Sequence, residues 1–420
     1  MNNFYASVER LYRPDLVGKP IAVCGDEAMR HGIVLAKSEE AKRMGVKTGD
    51  TVWQAREKCP GITLLPPRFE RYVKYSRLAQ EIYCEYTDLV ESFGMDECWL
   101  DVTASRLAFG DGVSIGEEIR KRILRELGLT VSVGVSFNKI FAKLGSDLKK
   151  PNALTHIPSG RFREIVWPLP VGEMMGVGRK SEADLRRFGI DTIGKLATAD
   201  SAFLQMRLGK NGTMLKESAR GNDTTPVLPC HYRPPLQSIG HGFTVPKDLE
   251  QREEVWLLIL ELCQEIGEKL RYHGLRAGGV ALDLKTRSLF SASIQKTLPF
   301  STDCTMTLAK EAFRLFQERY AFTEPLRSVT VRAISLSDRS GGVQLSLFSQ
   351  SEDLRAEKLD RVTDAIRRRW GKGALKNASL LVGQLPDSHG YIPFRGTAPL
   401  DQEREMPEGH LPKDHSKINF

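Results

Sequence analysis

The chain has 420 residues, a formal net charge of +8 and a pI near 9.0, and 41% of its residues are hydrophobic. It is too long for one compact core, so two to four domains are expected. The moderate positive charge fits an anionic partner without identifying that partner as nucleic acid. Seven cysteines without a CxxC pair argue against a zinc site or a disulfide scaffold and predict reduced thiols in a cytoplasmic protein. No apolar run reaches the roughly 18 residues of a membrane span.

The first segment, residues 1–9, predicts the end of a strand followed by a helix that carries Phe4 and Tyr5. An aromatic pair this close to an apolar element is most often part of a core. Residues 11–67 predict a small, mainly helical insertion with two strands, at 20–24 and 32–36, and two short helices after them.

Asp96 and Glu97 interrupt an otherwise apolar, strand-like stretch from Glu91 to Thr103. Burying an unpaired carboxylate is costly, and a divalent cation is its natural partner. Carboxylates that hold two metal ions are typical of phosphoryl transfer. The alternative is a surface turn with two solvated acids, and a single acidic pair does not distinguish the two interpretations.

The acidic stretch lies between periodic segments. Helical spacing is found at 68–90, 115–127 and 138–148, and a strand pattern at 130–135. Short helices joined by glycines follow from 165 to 228, and a proline-rich linker covers 224–235. Residues 237–336 predict a β-α-β-β-α-β unit. A last helix is predicted at 353–370 with its apolar residues on one side, and the polar remainder from about 386 is expected to be disordered.

Several motifs occur in one order along the chain: NNFYASVE, RPDL and GKP near the start, YTDLVESFGMDECWLDVT, and VSVGVSFNKIFAKLGSDLKKPNAL. Together they resemble the Y-family translesion DNA polymerases, in their UmuC-like and DinB-like branches, from residue 1 to about 348. The resemblance implies an α+β multidomain fold shaped as a right hand. The implied parts are a palm (1–10 and 68–165), fingers (11–67), a helix-hairpin-helix thumb (166–232), a little finger (233–340), and a clamp-binding motif, helix and tail (341–420).

The resemblance also implies the site. Two Mg²⁺ ions would be held by Asp96, Glu97 and the backbone carbonyl of Met1, with both carboxylates catalytic. Tyr5 corresponds to the steric gate that excludes ribonucleotides, with Phe4 beside it. The residues that match triphosphate contacts are Ser38, Lys42 and Lys150. Glu39 departs from the family, because many relatives have a triphosphate-contacting Tyr there. Backbone groups of Gly176, Val177 and Gly178 would bind a DNA phosphate.

The implied partners are primer-template DNA, a deoxynucleoside triphosphate and the bacterial sliding clamp. The clamp is expected to bind the QLSLF peptide, whose Leu and Phe would fill apolar pockets; its residues are Gln344, Leu345, Ser346, Leu347 and Phe348. We expect a monomer without a membrane contact.

The family opening contains a further metal-binding Asp that would fall one residue before Met1. We therefore expect the natural gene to encode, upstream of Met1, an apolar strand that ends in Asp. The alternative is a catalytically silent accessory protein that binds DNA and the clamp.

Overall fold

The computed structural model describes residues 1–27, 30, 32–339 and 350–382. Their buried apolar side chains form four clusters, drawn from residues 4–131, 22–59, 141–219 and 239–333. The second cluster lies within the sequence span of the first, as expected for an insertion. The exact domain limits given above remain predictions.

The N-terminal helix α1 (Phe4–Tyr12) buries Phe4, Ala6 and Val8 in the first cluster. The predicted helix is confirmed, but the predicted strand end is wrong. Residues 1–3 belong to no strand, and Asn3 enters the helix with a left-handed φ of 47°. Asn2 N donates to the backbone oxygen of Thr130 at 2.8 Å, which ties the chain start to the first cluster.

The insertion contains more strand than predicted. Strand β1 (Ile21–Cys24) pairs antiparallel with β2 (Val34–Lys37) and parallel with β3 (Thr63–Leu65). Two short helices, α2 (Glu39–Arg43) and α3 (Val52–Lys58), lie between β2 and β3 and begin at Ser and Thr caps. Strand β3 was not predicted because three residues are too few to show alternation.

The segment that carries the acidic pair alternates helices and strands: α4 (Phe69–Cys84), β4 (Val90–Ser92), β5 (Cys98–Leu100), α5 (Arg106–Phe109), α6 (Gly112–Leu127), β6 (Val133–Ser136), α7 (Lys139–Leu148) and β7 (Leu154–Ile157). Strands β4 and β5 form an antiparallel pair, and β6 and β7 form a parallel pair. Asp111 accepts from Ser114 N at 2.8 Å and Asn138 from Phe141 N at 2.8 Å, so side-chain caps start α6 and α7.

Five helices follow: α8 (Phe162–Val166), α9 (Arg179–Arg187), α10 (Ile193–Thr198), α11 (Ser201–Leu208) and α12 (Lys210–Ala219). Phe141 of α7 stacks on Phe162 of α8 with ring centroids 5.3 Å apart, which joins this helical cluster to α7. Residues 222–237, which include the proline-rich linker, form no helix or strand.

The next unit confirms the β-α-β-β-α-β order: β8 (Ser238–Leu249), α13 (Arg252–Tyr272), β9 (Leu275–Thr286), β10 (Ser291–Thr302), α14 (Thr305–Arg319) and β11 (Leu326–Asp338). The sheet order is β10-β9-β11-β8, and every neighbouring pair is antiparallel. Helices α13 and α14 bury their apolar faces against one side of this sheet.

Helix α15 (Gln350–Trp370) and the short α16 (Ala378–Val382) end the described part of the chain. The predicted helix is confirmed, but its apolar side faces outward. Leu359 is 66% exposed and Trp370 63%, whereas Asp364 and Arg367 are buried. The helix is held by ionic contacts, which periodicity alone does not reveal. None of the helices described is long and apolar enough to cross a membrane.

Candidate active site

The acidic pair lies in a hairpin rather than in one continuous strand, which corrects the prediction. Phe93 N donates to the Glu97 backbone oxygen at 2.8 Å, and Gly94 adopts a left-handed φ of 88°. A residue with a side chain is strained at that φ, so Gly94 suits the turn. The turn delivers Asp96 and Glu97 to the start of β5. Phe93, one of the apolar residues of this stretch, is 45% exposed.

The Asp96 carboxyl is largely shielded from solvent. Burial raises its pKa, the Glu97 carboxylate raises it further, and the Met1 ammonium opposes both. The Met1 amino group donates to the backbone oxygen of Asp96 at 2.6 Å. Burial lowers the pKa of that amino group, while the charges of Asp96 and Glu97 oppose the shift. Met1 and the acidic pair, predicted to form one site, therefore lie together.

Helix α7 brings a chain of alternating charges to the acidic pair. Lys143 contacts Glu97 at 2.7 Å and Asp147 at 3.1 Å, and Lys150 contacts Asp147 at 2.6 Å. Burial alone would lower the Lys143 pKa, but its hydrogen bonds to Glu97 and Asp147 raise it. Lys143 was missed by the sequence analysis. Its spacing from Asp147, one helical turn, was the signal available.

Tyr5 lies between the acidic turn and two aromatic rings. It stacks on Tyr72 with centroids 4.2 Å apart and meets the Phe69 ring edge-on at 6.0 Å. Its hydroxyl donates to Met95 Sδ at 3.5 Å, one residue before Asp96. Burial raises the Tyr5 pKa, and the Asp96 charge adds to the shift. Phe4 is 4% exposed and belongs to the core beneath.

Two of the residues matched to triphosphate contacts, Ser38 and Lys42, lie in the insertion. The buried Ser38 hydroxyl caps α2, accepting from Ala41 N at 3.3 Å and from Ile21 N at 3.1 Å. Lys42 pairs with Glu39 at 3.2 Å, and Asn3 Nδ2 donates to the same carboxylate at 3.3 Å. Glu39 thus binds the lysine proposed for the triphosphate and links it to the chain start.

The Gly176-Val177-Gly178 turn precedes α9 as predicted. Gly176 has a left-handed φ of 91°, and Gly178 is the N-cap residue of the helix. Val177 is buried in the helical cluster. The turn lies in a different cluster from the acidic pair. Residues 344–348, the predicted clamp-binding peptide, lie outside the residues that the structure describes.

A cavity of about 710 Å³ adjoins the acidic pair, whereas Tyr5, Ser38 and Lys42 are not among the residues that line it. Its lining includes Met1, Asp96, Glu97, Lys143 and Lys150. Residues of β5 and β6 line the cavity, and in the described part of the chain each strand pairs with one other only, β4 and β7 respectively. The cavity is open and mostly polar, which suits a charged substrate.

The donor set fits a divalent cation. Asp96 forms no salt bridge within the described ranges, although it is partly buried and adjoins a second carboxylate. A cation beside Asp96 would offset the cost of ionising it there. No group of three or more His, Cys, Asp or Glu side chains arranged to hold a metal is found among these residues. Asp96 and Glu97 remain the predicted side-chain donors.

The fold is that of a known class of polymerase. A solved structure described as a Y-family DNA polymerase chimera superposes with a TM-score of 0.72, covering 80% of this chain and 97% of that one at 23% identity. Family models described as impB/mucB/samB family and its C-terminal domain match residues 1–147 and 236–347.

Curated relatives refine the assignment. A DNA polymerase IV of Acetivibrio thermocellus is 46% identical over 384 residues, which cover 91% of this chain and 96% of the relative. DNA polymerase IV 1 of Bacillus subtilis is 36% identical, covering 91% and 92%. The chain belongs to the impB/mucB/samB family of Y-family, DinB-like DNA polymerases. The predicted fold class and family are confirmed, and the accessory-protein alternative is not favoured.

Proposed function

We propose that this chain performs template-directed, error-prone translesion DNA synthesis. It would transfer a nucleotide from a deoxynucleoside triphosphate to a primer 3′-hydroxyl. The observation that carries the proposal is the convergence of Asp96, Glu97, Lys143 and Lys150 on one open, polar cavity within a polymerase fold. Two acids and two lysines side by side suit metal-assisted phosphoryl transfer.

Asp96, Glu97 and the Met1 carbonyl would hold Mg²⁺, and we propose two ions. When bound, they would activate the primer hydroxyl and stabilise the leaving pyrophosphate. The chain's own groups would orient the substrate: Lys143 and Lys150 would neutralise the triphosphate, with Lys42 contributing from the fingers. The Glu39–Lys42 pair at 3.2 Å is exposed on the lysine side, so the lysine can exchange partners.

The Gly176–Gly178 turn would bind one DNA phosphate through backbone N–H groups, which positions the duplex without reading bases. The β8–β11 sheet would grip the backbone from the other side. We propose that the protein acts as a monomer in the cytoplasm.

Primer extension tests the function. The purified protein, a primed template, Mg²⁺ and all four deoxynucleotides should yield elongated primers on intact and lesion-containing templates. A protein that binds the primed template but never extends it under these conditions would support the accessory alternative instead.

Replacing Tyr5 by Ala is expected to let ribonucleotides into the site. The ring lies against Tyr72 and beside Asp96, where a ribose 2′-hydroxyl would meet it. Removing the ring removes the clash, so discrimination between deoxyribonucleotides and ribonucleotides should fall at least about tenfold. Single-nucleotide incorporation kinetics with dCTP and CTP measure it. Tyr5→Phe keeps the ring and is the control; unchanged discrimination in Tyr5→Ala would assign the gate elsewhere.

Clamp recruitment depends, in this proposal, on residues Gln344–Phe348. Replacing both Leu347 and Phe348 by Ala should abolish clamp-stimulated synthesis while sparing synthesis without the clamp, because apolar anchors carry most of the energy of such a contact. The control is Leu289→Ala with Phe290→Ala, a Leu-Phe pair that is exposed between β9 and β10. Clamp stimulation that survives in the first variant would contradict the motif assignment.

A further inference from the structure

The acidic and basic side chains of helix α15 lie on different sides of the helix. The acidic side chains contact α13 and β9 of the β-α-β-β-α-β unit. Arg271 of α13 donates to Asp364 at 2.6 Å and to Asp360 at 3.1 Å. Arg276 of β9 donates to Glu357 at 3.0 Å. These ion pairs are largely buried, so the acidic side chains of α15 attach the helix to α13 and β9.

The opposite side of α15 is cationic. Between residues 355 and 370, every exposed charged side chain is a base: Arg355, Lys358, Arg361, Arg368 and Arg369. Among the residues described here, Lys358, Arg368 and Arg369 form no salt bridge. A surface of one sign repels a second copy of itself and attracts a polyanion.

Two further features fit a nucleic acid. Trp370 is 63% exposed, and the Arg369 guanidinium lies 4.7 Å from its ring centroid. An exposed aromatic ring among cations is the arrangement on which unpaired bases stack. A recess of about 420 Å³ lies beside α15, lined by Arg271, Arg339, Arg361, Asp364 and Arg368. Arg271 pairs with Asp364 there, and Arg339 and Arg361 both pair with Glu357. Arg368 forms no salt bridge among the described residues, so it is the cation of the recess that is available to a phosphate.

We propose that the outward face of α15 binds single-stranded DNA, with its cations on the phosphates and Trp370 stacked on a base. This contact is additional to the primer-template cleft of the proposed polymerase activity. It lies beyond the segments matched by the family models, which end at residue 347. It would hold unpaired DNA near the enzyme.

Charge reversal tests the cations. In the full chain, Lys358→Glu, Arg368→Glu and Arg369→Glu together should lower the affinity for fluorescein-labelled oligo-dT at least about tenfold by fluorescence anisotropy. The slope of log affinity against log salt should fall by about 2, since each lost phosphate contact removes roughly 0.7. The matched control reverses Lys310, Arg314 and Arg319 of α14, an equal charge change on a helix that also exposes Glu318. We expect the control to lose less than about threefold.

Trp370→Ala tests the stacking. Affinity for oligo-dT should fall about fivefold or more, while affinity for a blunt duplex should change by less than about twofold. Equal losses from the α15 and α14 reversals, or equal losses of single-stranded and duplex binding in Trp370→Ala, would overturn the proposal. The proposal would also be overturned if the α15 reversal kept its affinity for oligo-dT but lost its affinity for the purified sliding clamp. These are binding measurements, so they can be read whether or not primers are extended.

Discussion

Asp96→Asn is expected to reduce nucleotide transfer by about a thousandfold, while leaving primer-template affinity within about twofold. The side chain keeps its shape, but an amide is a much weaker ligand for a hard divalent cation than a carboxylate. Several kcal/mol of transition-state stabilisation would be lost, and each 1.36 kcal/mol corresponds to a factor of ten in rate. DNA affinity should persist because the Gly176–Gly178 turn and the β8–β11 sheet, which we propose bind the DNA, lie in other clusters.

Single-turnover incorporation with Mg²⁺ and anisotropy with labelled primer-template measure the two quantities. Asp15→Asn is the control, because Asp15 is an exposed carboxylate that pairs with Arg13 away from the cavity. Near-normal incorporation by Asp96→Asn would show that Asp96 has no role in catalysis. Loss of DNA affinity alone would assign it a role in substrate binding instead.

Gly134→Ala is expected to have the largest effect on stability. A Cβ at Gly134 of β6 would lie 2.5 Å from Ser146 N and 2.9 Å from the Ala142 carbonyl carbon, and closer still to the Ala142 carbonyl oxygen. These are backbone atoms of α7 and cannot turn away as a side chain can. We expect a loss of at least about 3 kcal/mol in the free energy of unfolding.

Differential scanning fluorimetry should show a fall in Tm of roughly 6–12 °C for the cooperative unit that contains β6. Because α7 also carries Lys143, its displacement should weaken the Glu97 contact and raise the KM for the nucleotide. Gly160→Ala is the matched control, since its Cβ meets no atom within 4 Å. If the Gly134→Ala protein has the same Tm as the unaltered chain, α7 does not pack this closely on β6.

Much of the organisation could be predicted from local patterns. Helices α4, α6 and α7 and the β-α-β-β-α-β unit follow from periodicities of 3.6 and 2 residues, which depend only on near neighbours. The β4–β5 hairpin and the short strand β7 did not follow from them. The acidic pair, Tyr5 and Lys150 were identified by motif. The structure brings the acidic pair and Lys150 to one cavity and places Tyr5 beside Met95, next to Asp96. Their roles remain predictions.

Helix α15 illustrates a limit of the sequence. Its Leu359, Val362 and Trp370 have the spacing of a buried face, yet Leu359 is 66% exposed. Periodicity shows that a helix has two faces, but not which face the rest of the molecule covers. The covered face of α15 is set by arginines of α13 and β9, some 80–90 residues earlier in the chain. These arginines pair with Asp360, Asp364 and Glu357.

By itself, then, the sequence determined the family, the long helices, the β-α-β-β-α-β order and most of the residues that could carry chemistry, because these depend on residue type and local spacing. Only the tertiary structure decided which charges meet. Glu97 reaches Lys143 across 46 residues, and the Met1 ammonium acts on the Asp96 carboxyl across 95 residues. Burial and ion pairing between distant segments are long-range properties of the folded chain, and they set the pKa values on which the site depends.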